Sequence, residues 1–282
     1  MGSDDEGAAC RRDEPAHEDG YVWEAPVTKH PAKFTNVIMD QIERVVLAEC
    51  ERFDPDEPVY LFDPMGGIGG VFGLHTAIDG LMITCIEIEK EWADSADGNP
   101  LKYICDHAIH DDFLKWSAGE EDMDWDIAVT SPTYGNRMAD KHQPSPSDTS
   151  KRNTYKHTLG RDLTEGSSAG MQWGDTYRSF HAEAWQQVYR LLKPGGMFVL
   201  NVKDHIRKGT KQPVVAWHRT LCKNLGFKLI EDIEIPVKGL RQGENHEVRV
   251  DVEHVMVFRR PEMDVSRVSK KWTQPRLSRE MK

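Results

Sequence analysis

The sequence predicts an α/β protein with a mostly parallel sheet that closes in an antiparallel C-terminal hairpin. Three observations carry this. Short apolar runs of strand length alternate with helix-period patterns, as parallel strands joined by helices do. A glycine cluster, GGIGG at 66–70, follows the first such run almost at once. Near the end, two β-prone runs at 227–235 and 247–260 are joined by the polar loop PVKGLRQGENH, and a short polar connection makes antiparallel neighbours.

Residues 1–20 are charged and small without periodicity, so they read as a disordered acidic tail. From Lys33 onward, Phe34, Ile38, Ile42, Val45, Val46 and Cys50 recur mostly at three- and four-residue steps. That is a helix, closed off by Pro55 and Pro58. VYLFDP (59–64) is a buried first strand, and GGIGGVFGLHTAID (66–79) is a glycine turn running into a helix. LMITCIEIE (81–89), LKYICDHA (101–108) and DIAVTSP (126–132) are the second, third and fourth strands. A helix over 176–192 carries Phe180, Ala184, Trp185, Val188 and Leu191 on one side. Pro194, Gly195 and Gly196 stop it ahead of the fifth strand, MFVLNVKD (197–204). A helix over 214–225, ended by Gly226, precedes the closing hairpin. One domain is thus expected over 21–260, followed by a basic, polar tail over 261–282.

The 282 residues, 38% hydrophobic and 29% charged, suffice for one large α/β core. No apolar run approaches the roughly 20 residues that span a bilayer. The acidic start lacks the apolar centre of a signal peptide, so no membrane partner is expected and the compartment is read as cytoplasmic. Five scattered cysteines without a C-x-x-C pair read as reduced thiols. The first 19 residues supply −5 of the net charge of −11. This excludes a non-specific nucleic-acid coat and leaves room for a local basic patch.

The glycine turn brings backbone close to a ligand at a strand end. It is not a phosphate-binding loop, because no lysine follows the glycines. It is not the dinucleotide fingerprint either, because Phe72 stands where a third glycine is needed after Gly67 and Gly69. Asp63, just ahead of the turn, discourages a pyrophosphate and attracts an ammonium group. Glu87, closing the second strand, suits ribose hydroxyls. Asp106, placed at the end of the third strand, suits an adenine amino group. Three acids at successive strand ends then face one crevice. CDHAIHDD (105–112) matches no zinc spacing, and no metal is expected.

The fourth strand runs into Ser131-Pro132-Thr133-Tyr134-Gly135-Asn136, and an insert over 137–174 breaks the strand–helix rhythm. A loop this long in a compact domain usually has a function. Arg137, Lys151, Arg152, Lys156 and Arg161, interleaved with Tyr155, His157 and Trp173, suit nucleic acid, as does Arg241 in the last loop. At the end of the fifth strand, Asn201, Lys203 and Asp204 are candidates for lining a target pocket.

Taken in order, these motifs resemble the S-adenosylmethionine-dependent DNA methyltransferases that modify exocyclic amino groups, cytosine N4 or adenine N6. TKHPAKF (28–34) resembles their cofactor clasp, DPMGGIGG their glycine motif, SPTY their catalytic motif, and LLKPGGMFVLNVKD their fifth-strand region. The resemblance implies a Rossmann-like methyltransferase fold with a seven-stranded sheet and S-adenosylmethionine as cofactor. It implies double-stranded DNA as partner, a monomer or weak homodimer, and a restriction-modification setting. Cofactor contacts are expected from Phe34, Asp63, Pro64, Gly66, Gly67, Gly69, Glu87 and Asp106. Ser131, Pro132 and Tyr134 are expected at a base flipped out of its duplex. The insert and the last loop would recognise DNA. Thr133 departs from the motif, which usually has a second proline there. Carbon-5 cytosine chemistry is excluded, since none of the five cysteines follows a proline. An RNA amino-methyltransferase, or a nucleic-acid-binding module on the same fold with impaired catalysis, stays open at this stage.

Overall fold

The computed structural model describes residues 34–140, 154–237 and 249–262. Its centre is a seven-stranded sheet in the order β3-β2-β1-β4-β5-β9-β8. The strands are β1 (Val59–Asp63), β2 (Leu81–Glu87), β3 (His107–His110), β4 (Trp125–Thr130), β5 (Leu192–Val202), β8 (Lys228–Pro236) and β9 (Val252–Arg259). All pairs from β3 to β5 are parallel, and β9 runs antiparallel to both β5 and β8. The strand order reverses at β1 and β4. In open α/β sheets that reversal opens a crevice at the strands' carboxyl ends.

Alternation along the strands sends side chains into two cores. Leu61, Ile127, Val129, Met197, Val199, Val255 and Val257 pack with Ile38, Ile42 and Val46 of helix α1 (Asn36–Cys50). Phe62, Ala128, Phe198, Leu200, Met256 and Phe258 pack with Trp185 and Val188 of α5 (Asp175–Leu191) and Leu221 of α6 (Val214–Leu225). Thr35 caps α1 by accepting from the Ile38 N–H. Gly226, at φ 106°, ends α6.

The expected sheet and hairpin are present, and several local readings change. The segment after the glycine turn is a 3-10 helix, Gly70–Thr76, instead of an α-helix. The chain passes from α5 straight into β5, so Pro194-Gly195-Gly196 lies inside a strand whose register to β4 shifts between Trp125 and Ile127. The third strand starts at His107, leaving Asp106 ahead of it. Helices α2 (Lys90–Asp97), α3 (Phe113–Gly119) and α4 (Tyr155–Leu159) and the β6–β7 hairpin (His205–Arg207, Thr210–Gln212) add to the expected elements. Cys50, Cys85 and Cys222 are free thiols. Cys105 is disulfide-bonded, which corrects the all-reduced reading; scattered spacing carries no information about which cysteines meet in space. Among the described residues no helix is long and apolar enough to cross a membrane.

Candidate active site

One cavity of about 400 Å³ opens at the strand-order reversal. Its lining includes Phe34, Asp63, Pro64, Gly66, Gly67 and Glu87 from the first half of the chain, and Ser131, Pro132, Thr133 and Tyr134 from the end of β4. The two ends of the expected site therefore share a single space.

The glycine turn is fixed by its own backbone. Gly66 N–H donates to the Ile86 carbonyl at 2.9 Å, tying the turn to β2. A Cβ on Gly66 would lie 2.9 Å from Cys85 Cβ, so only glycine fits there. Gly67 and Gly69 both take positive φ, 54° and 73°. Asp63 Oδ1 accepts from Met65 N–H at 3.0 Å. Glu87 takes two backbone donors, Gly67 N–H at 2.9 Å and Glu89 N–H at 2.8 Å. Burial pushes the carboxyls of Asp63 and Glu87 up to about 7 each, and no cation among the described residues offsets it. Two carboxyls held this way in a cavity suit a ligand that brings its own positive charge and hydroxyls.

Asp106 does not belong to this group. Its carboxylate faces His75 Nε2 at 2.7 Å and accepts from the backbone N–H groups of Ile83 and Tyr103, both at 2.8 Å, away from the cavity. Asp111 and Asp112, just past the true end of β3, line the cavity instead. The apolar run YICDHA mimics a strand just ahead of the real one, and so draws the expected strand end back to Asp106.

At the other end, Ser131, Tyr134, Asn201 and Glu253 form one network. Ser131 Oγ–H donates to Asn201 Oδ1 at 3.0 Å, and Tyr134 Oη lies 3.1 Å from Ser131 Oγ and 3.0 Å from Asn201 Oδ1. Asn201 Nδ2 donates to the His254 carbonyl at 3.2 Å, which fixes the amide so that its oxygen faces the hydroxyl pair. Glu253 reaches Tyr134 Oη at 3.4 Å and Lys203 Nζ at 3.5 Å. Asp204 turns away from the site and accepts from the Val215 N–H at the start of α6. Glu253 escaped the sequence reading because EVRVDVEHV alternates like an ordinary strand with one wet face. Nothing in that pattern marks one acid as facing a pocket.

The described part of the insert forms a wall of the cavity. Gly166, Ser167, Ser168 and Ala169 line it, and Tyr155 packs edge-on against Trp92 with ring centres 5.9 Å apart. Arg161, expected to meet nucleic acid, instead pairs with buried Glu89 at 2.8 Å and with Glu91. Thr164 adds two hydrogen bonds to Glu89, from N–H at 3.0 Å and Oγ1 at 2.9 Å. Lys156 pairs with Asp162. Local ion pairing thus satisfies both cations within the fold. Arg137 sits in a 3-10 turn, Arg137–Ala139. Lys151, Arg152 and Arg241 lie outside the described residues, as does most of the last loop. Among the described residues no cluster of His, Cys, Asp or Glu has the makings of a metal site.

A methyltransferase-type sheet order with a glycine turn, two strand-end acids and SPTY on one cavity defines the class: an S-adenosylmethionine-dependent methyltransferase. Residues 125–282 match the model of the N6/N4 methyltransferase family, described as DNA methylase. That is more than half of the chain, and the chain belongs to this family. Among solved structures, it is similar to a putative sarcosine dimethylglycine methyltransferase from Galdieria sulphuraria. That match has 13% identity and a TM-score of 0.52, covering 80% of this chain and 86% of the other. The CurJ carbon methyltransferase matches at 13% identity and TM-score 0.49; the match covers 82% of this chain but only 56% of that one. A putative DNA modification methylase from Thermus thermophilus, complexed with S-adenosyl-L-methionine, is 19% identical with a TM-score of 0.34. That match covers 57% of this chain and 56% of the other. At 13% identity the first of these likenesses shows the fold alone. No curated protein sequence matches the chain.

Proposed function

We propose that the protein transfers a methyl group from S-adenosylmethionine to an exocyclic amino group, cytosine N4 or adenine N6, of a base flipped out of duplex DNA. The observation that carries this is the state of Ser131. Its hydroxyl proton goes to Asn201 Oδ1, so the oxygen acts as an acceptor in the cavity that also holds Asp63 and Glu87.

The residues present fit the cofactor by their chemistry. Asp63 meets an ammonium group, Glu87 the ribose hydroxyls, and the bare turn at Gly66 and Gly67 leaves room for the chain between them. Asp111 or Asp112 takes the adenine amino group in place of Asp106, and Phe34 packs against the cofactor. When bound, the cofactor supplies an electrophilic methyl group.

The chain's own part is to prepare the nucleophile. An exocyclic amino nitrogen shares its lone pair with the ring and attacks poorly. Ser131 Oγ and the Pro132 carbonyl, accepting its two N–H bonds, draw it toward a tetrahedral geometry with a localised pair. Tyr134 holds the base in line for displacement. The methylated amino nitrogen is cationic after transfer and strongly acidic, and it gives its extra proton to solvent. Burial raises Tyr134 well above the usual phenol range, so the phenol stays protonated and keeps its contact with Asn201 Oδ1.

DNA contacts are assigned to Arg137, Lys151, Arg152 and Arg241, together with the β6–β7 hairpin. That hairpin carries Arg207 and Lys208, and Arg207 bonds to Gln172 beside the catalytic turn. Labelled-methyl transfer to duplex DNA and to RNA of the same sequence tests the assignment. Label in DNA, located at N4 or N6 by nucleoside analysis, supports it; label in RNA alone overturns it.

A further inference from the structure

Thr133 stands where the related motif has proline, and the structure ties it down by other means. Its Oγ1–H donates to the Ser168 carbonyl at 2.9 Å, and its own carbonyl accepts from Tyr177 Oη–H at 2.8 Å. Behind Tyr177 lies a fully buried chain. Tyr177 Oη is 2.9 Å from His218 Nε2, and Trp185 Nε1–H donates to His218 Nδ1 at 2.8 Å. Tyr177, Trp185 and His218 are each 0% exposed.

The direction of every bond in this chain is determined. Indole N–H only donates, so His218 Nδ1 is an acceptor and carries no proton. Burial also holds the ring neutral, which places its single proton on Nε2. That N–H donates to Tyr177 Oη, and the phenol proton is then free only for the Thr133 carbonyl. The relay runs one way: Trp185, His218, Tyr177, Thr133.

We propose that Tyr177, backed by His218 and Trp185, is the positioning residue that fixes the Thr133 carbonyl and through Thr133 holds the Pro132 carbonyl for catalysis, replacing the rigidity of a second proline. A proline at 133 would fix its own φ and restrict Pro132, whose carbonyl is the second acceptor of the target amino group. Threonine leaves both torsions freer, and the relay holds the far side of the same residue. The proposal rests on the reading of Pro132 as a target-site acceptor. Tyr177, Trp185 and His218, outside every motif, thereby bear on the rate.

The test is a double-mutant cycle with two readouts on the full chain. Tyr177→Phe lowers kcat for methyl transfer to duplex DNA about tenfold, with the cofactor Kd within twofold of wild type. Thr133→Pro is at least as fast as wild type. In the double variant, Thr133→Pro removes most of the Tyr177→Phe loss, leaving kcat within threefold of Thr133→Pro alone. Losses that multiply, or an unchanged kcat in Tyr177→Phe, overturn the relay. Hydrogen exchange over 131–136 reads the same coupling without any methyl transfer. It quickens in Tyr177→Phe and recovers in the double variant. If wild type methylates no DNA while this exchange coupling holds, the substrate reading falls and the relay stands. If Tyr177→Phe does not fold, His218→Gln against His218→Leu takes its place: glutamine keeps a donor to Tyr177 and retains the rate, leucine does not. Equal rates in that pair overturn the proposal.

Discussion

Ser131 Oγ and Asn201 Oδ1 lie 3.0 Å apart, with the serine as donor, and the Asn201 amide is itself held by the His254 carbonyl. A residue on β5 therefore decides which way a hydroxyl at the end of β4 points. Without Asn201, the Ser131 proton has the target amino nitrogen or Tyr134 as alternatives, and one acceptor for the substrate is lost. Asn201→Ala is expected to lower kcat about tenfold to a hundredfold, in the range of one lost preorganised contact. Cofactor affinity should be unchanged. Ser131→Ala and Tyr134→Ala are expected to remove most activity. Single-turnover methyl transfer alongside calorimetric cofactor binding checks all three. A normal rate in Ser131→Ala would remove the basis for the assigned chemistry.

Asp63 and Glu87 predict opposite pH trends for stability and for cofactor binding. Their folded values are raised from 3.8 and 4.5 to about 7 by burial. The folded state then holds more protons than the unfolded chain between about pH 4 and pH 7, so stability is highest below that window and falls as pH rises through it. The melting temperature of cofactor-free protein should drop between pH 5 and pH 8. Cofactor affinity should climb over the upper part of the same range, because a cationic amino group binds ionised Asp63. From pH 8 to pH 6 the Kd should weaken about tenfold, the factor one protonation near pH 7 imposes. Asp63→Asn should bind weakly at both pH values, with the slope gone. A wild-type Kd flat across this range would rule out Asp63 as the ammonium partner.

Most of the sheet was legible, because buried parallel strands are short apolar runs and helices repeat at 3.6. The β1, β2, β4 and α6 bounds fall within two residues of the pattern. The third strand was not legible: LKYICDHA and the true strand HAIH are about equally apolar, and only pairing with β2 decides between them. That slip put Asp106 at the expected strand end, where Asp111 and Asp112 in fact line the cavity. Asp63, Glu87 and SPTY stood out because strand ends and glycine turns are punctuated locally. Glu253, Tyr177 and His218 did not, since their importance arises from contacts 119, 44 and 41 residues away in sequence. The insert's arginine misled for a related reason. Charge in a loop looks solvated until its partner, here Glu89, is found on another element.

The Arg161–Glu89 ion pair ties the insert, whose Gly166–Ala169 stretch lines the cavity, to the segment just past β2. Glu89 is 0% exposed and sits two residues past Glu87. Arg161→Ala strips its cation and leaves only the Thr164 donors. Breaking a fully buried pair costs about 3–5 kcal/mol, and Arg161's partial exposure reduces this to about 2–3 kcal/mol. The effect should appear as a lower melting temperature and a cofactor Kd weakened about tenfold. Duplex-DNA affinity of the cofactor-free protein should change little, since this arginine is already paired with Glu89 and Glu91. Gel-shift or anisotropy measurements separate the two. A selective loss of DNA binding would return Arg161 to the role its sequence context suggested.

Gly135 predicts a different kind of failure. It sits at φ +63°, and a Cβ there would lie 2.6 Å from Trp173 N and 2.9 Å from Trp173 Cα. Both are backbone atoms of the insert, and Trp173 N–H donates to the Gly135 carbonyl at 2.8 Å. No side-chain rotation relieves such a clash, so Gly135→Ala must separate the catalytic turn from the insert and break that bond. Ring packing of Trp173 on Tyr177 and Trp217, at 5.3 and 5.8 Å, loosens with it. The expected cost is about 1–3 kcal/mol for the strained φ together with a lost hydrogen bond. The rate should suffer more than the stability, because Tyr134 immediately precedes it. The variant should keep its far-ultraviolet circular dichroism and cofactor binding while kcat falls a hundredfold or more. Intrinsic tryptophan fluorescence reports whether Trp173 has moved. An active Gly135→Ala with unchanged fluorescence would show that the turn does not depend on its contact with the insert.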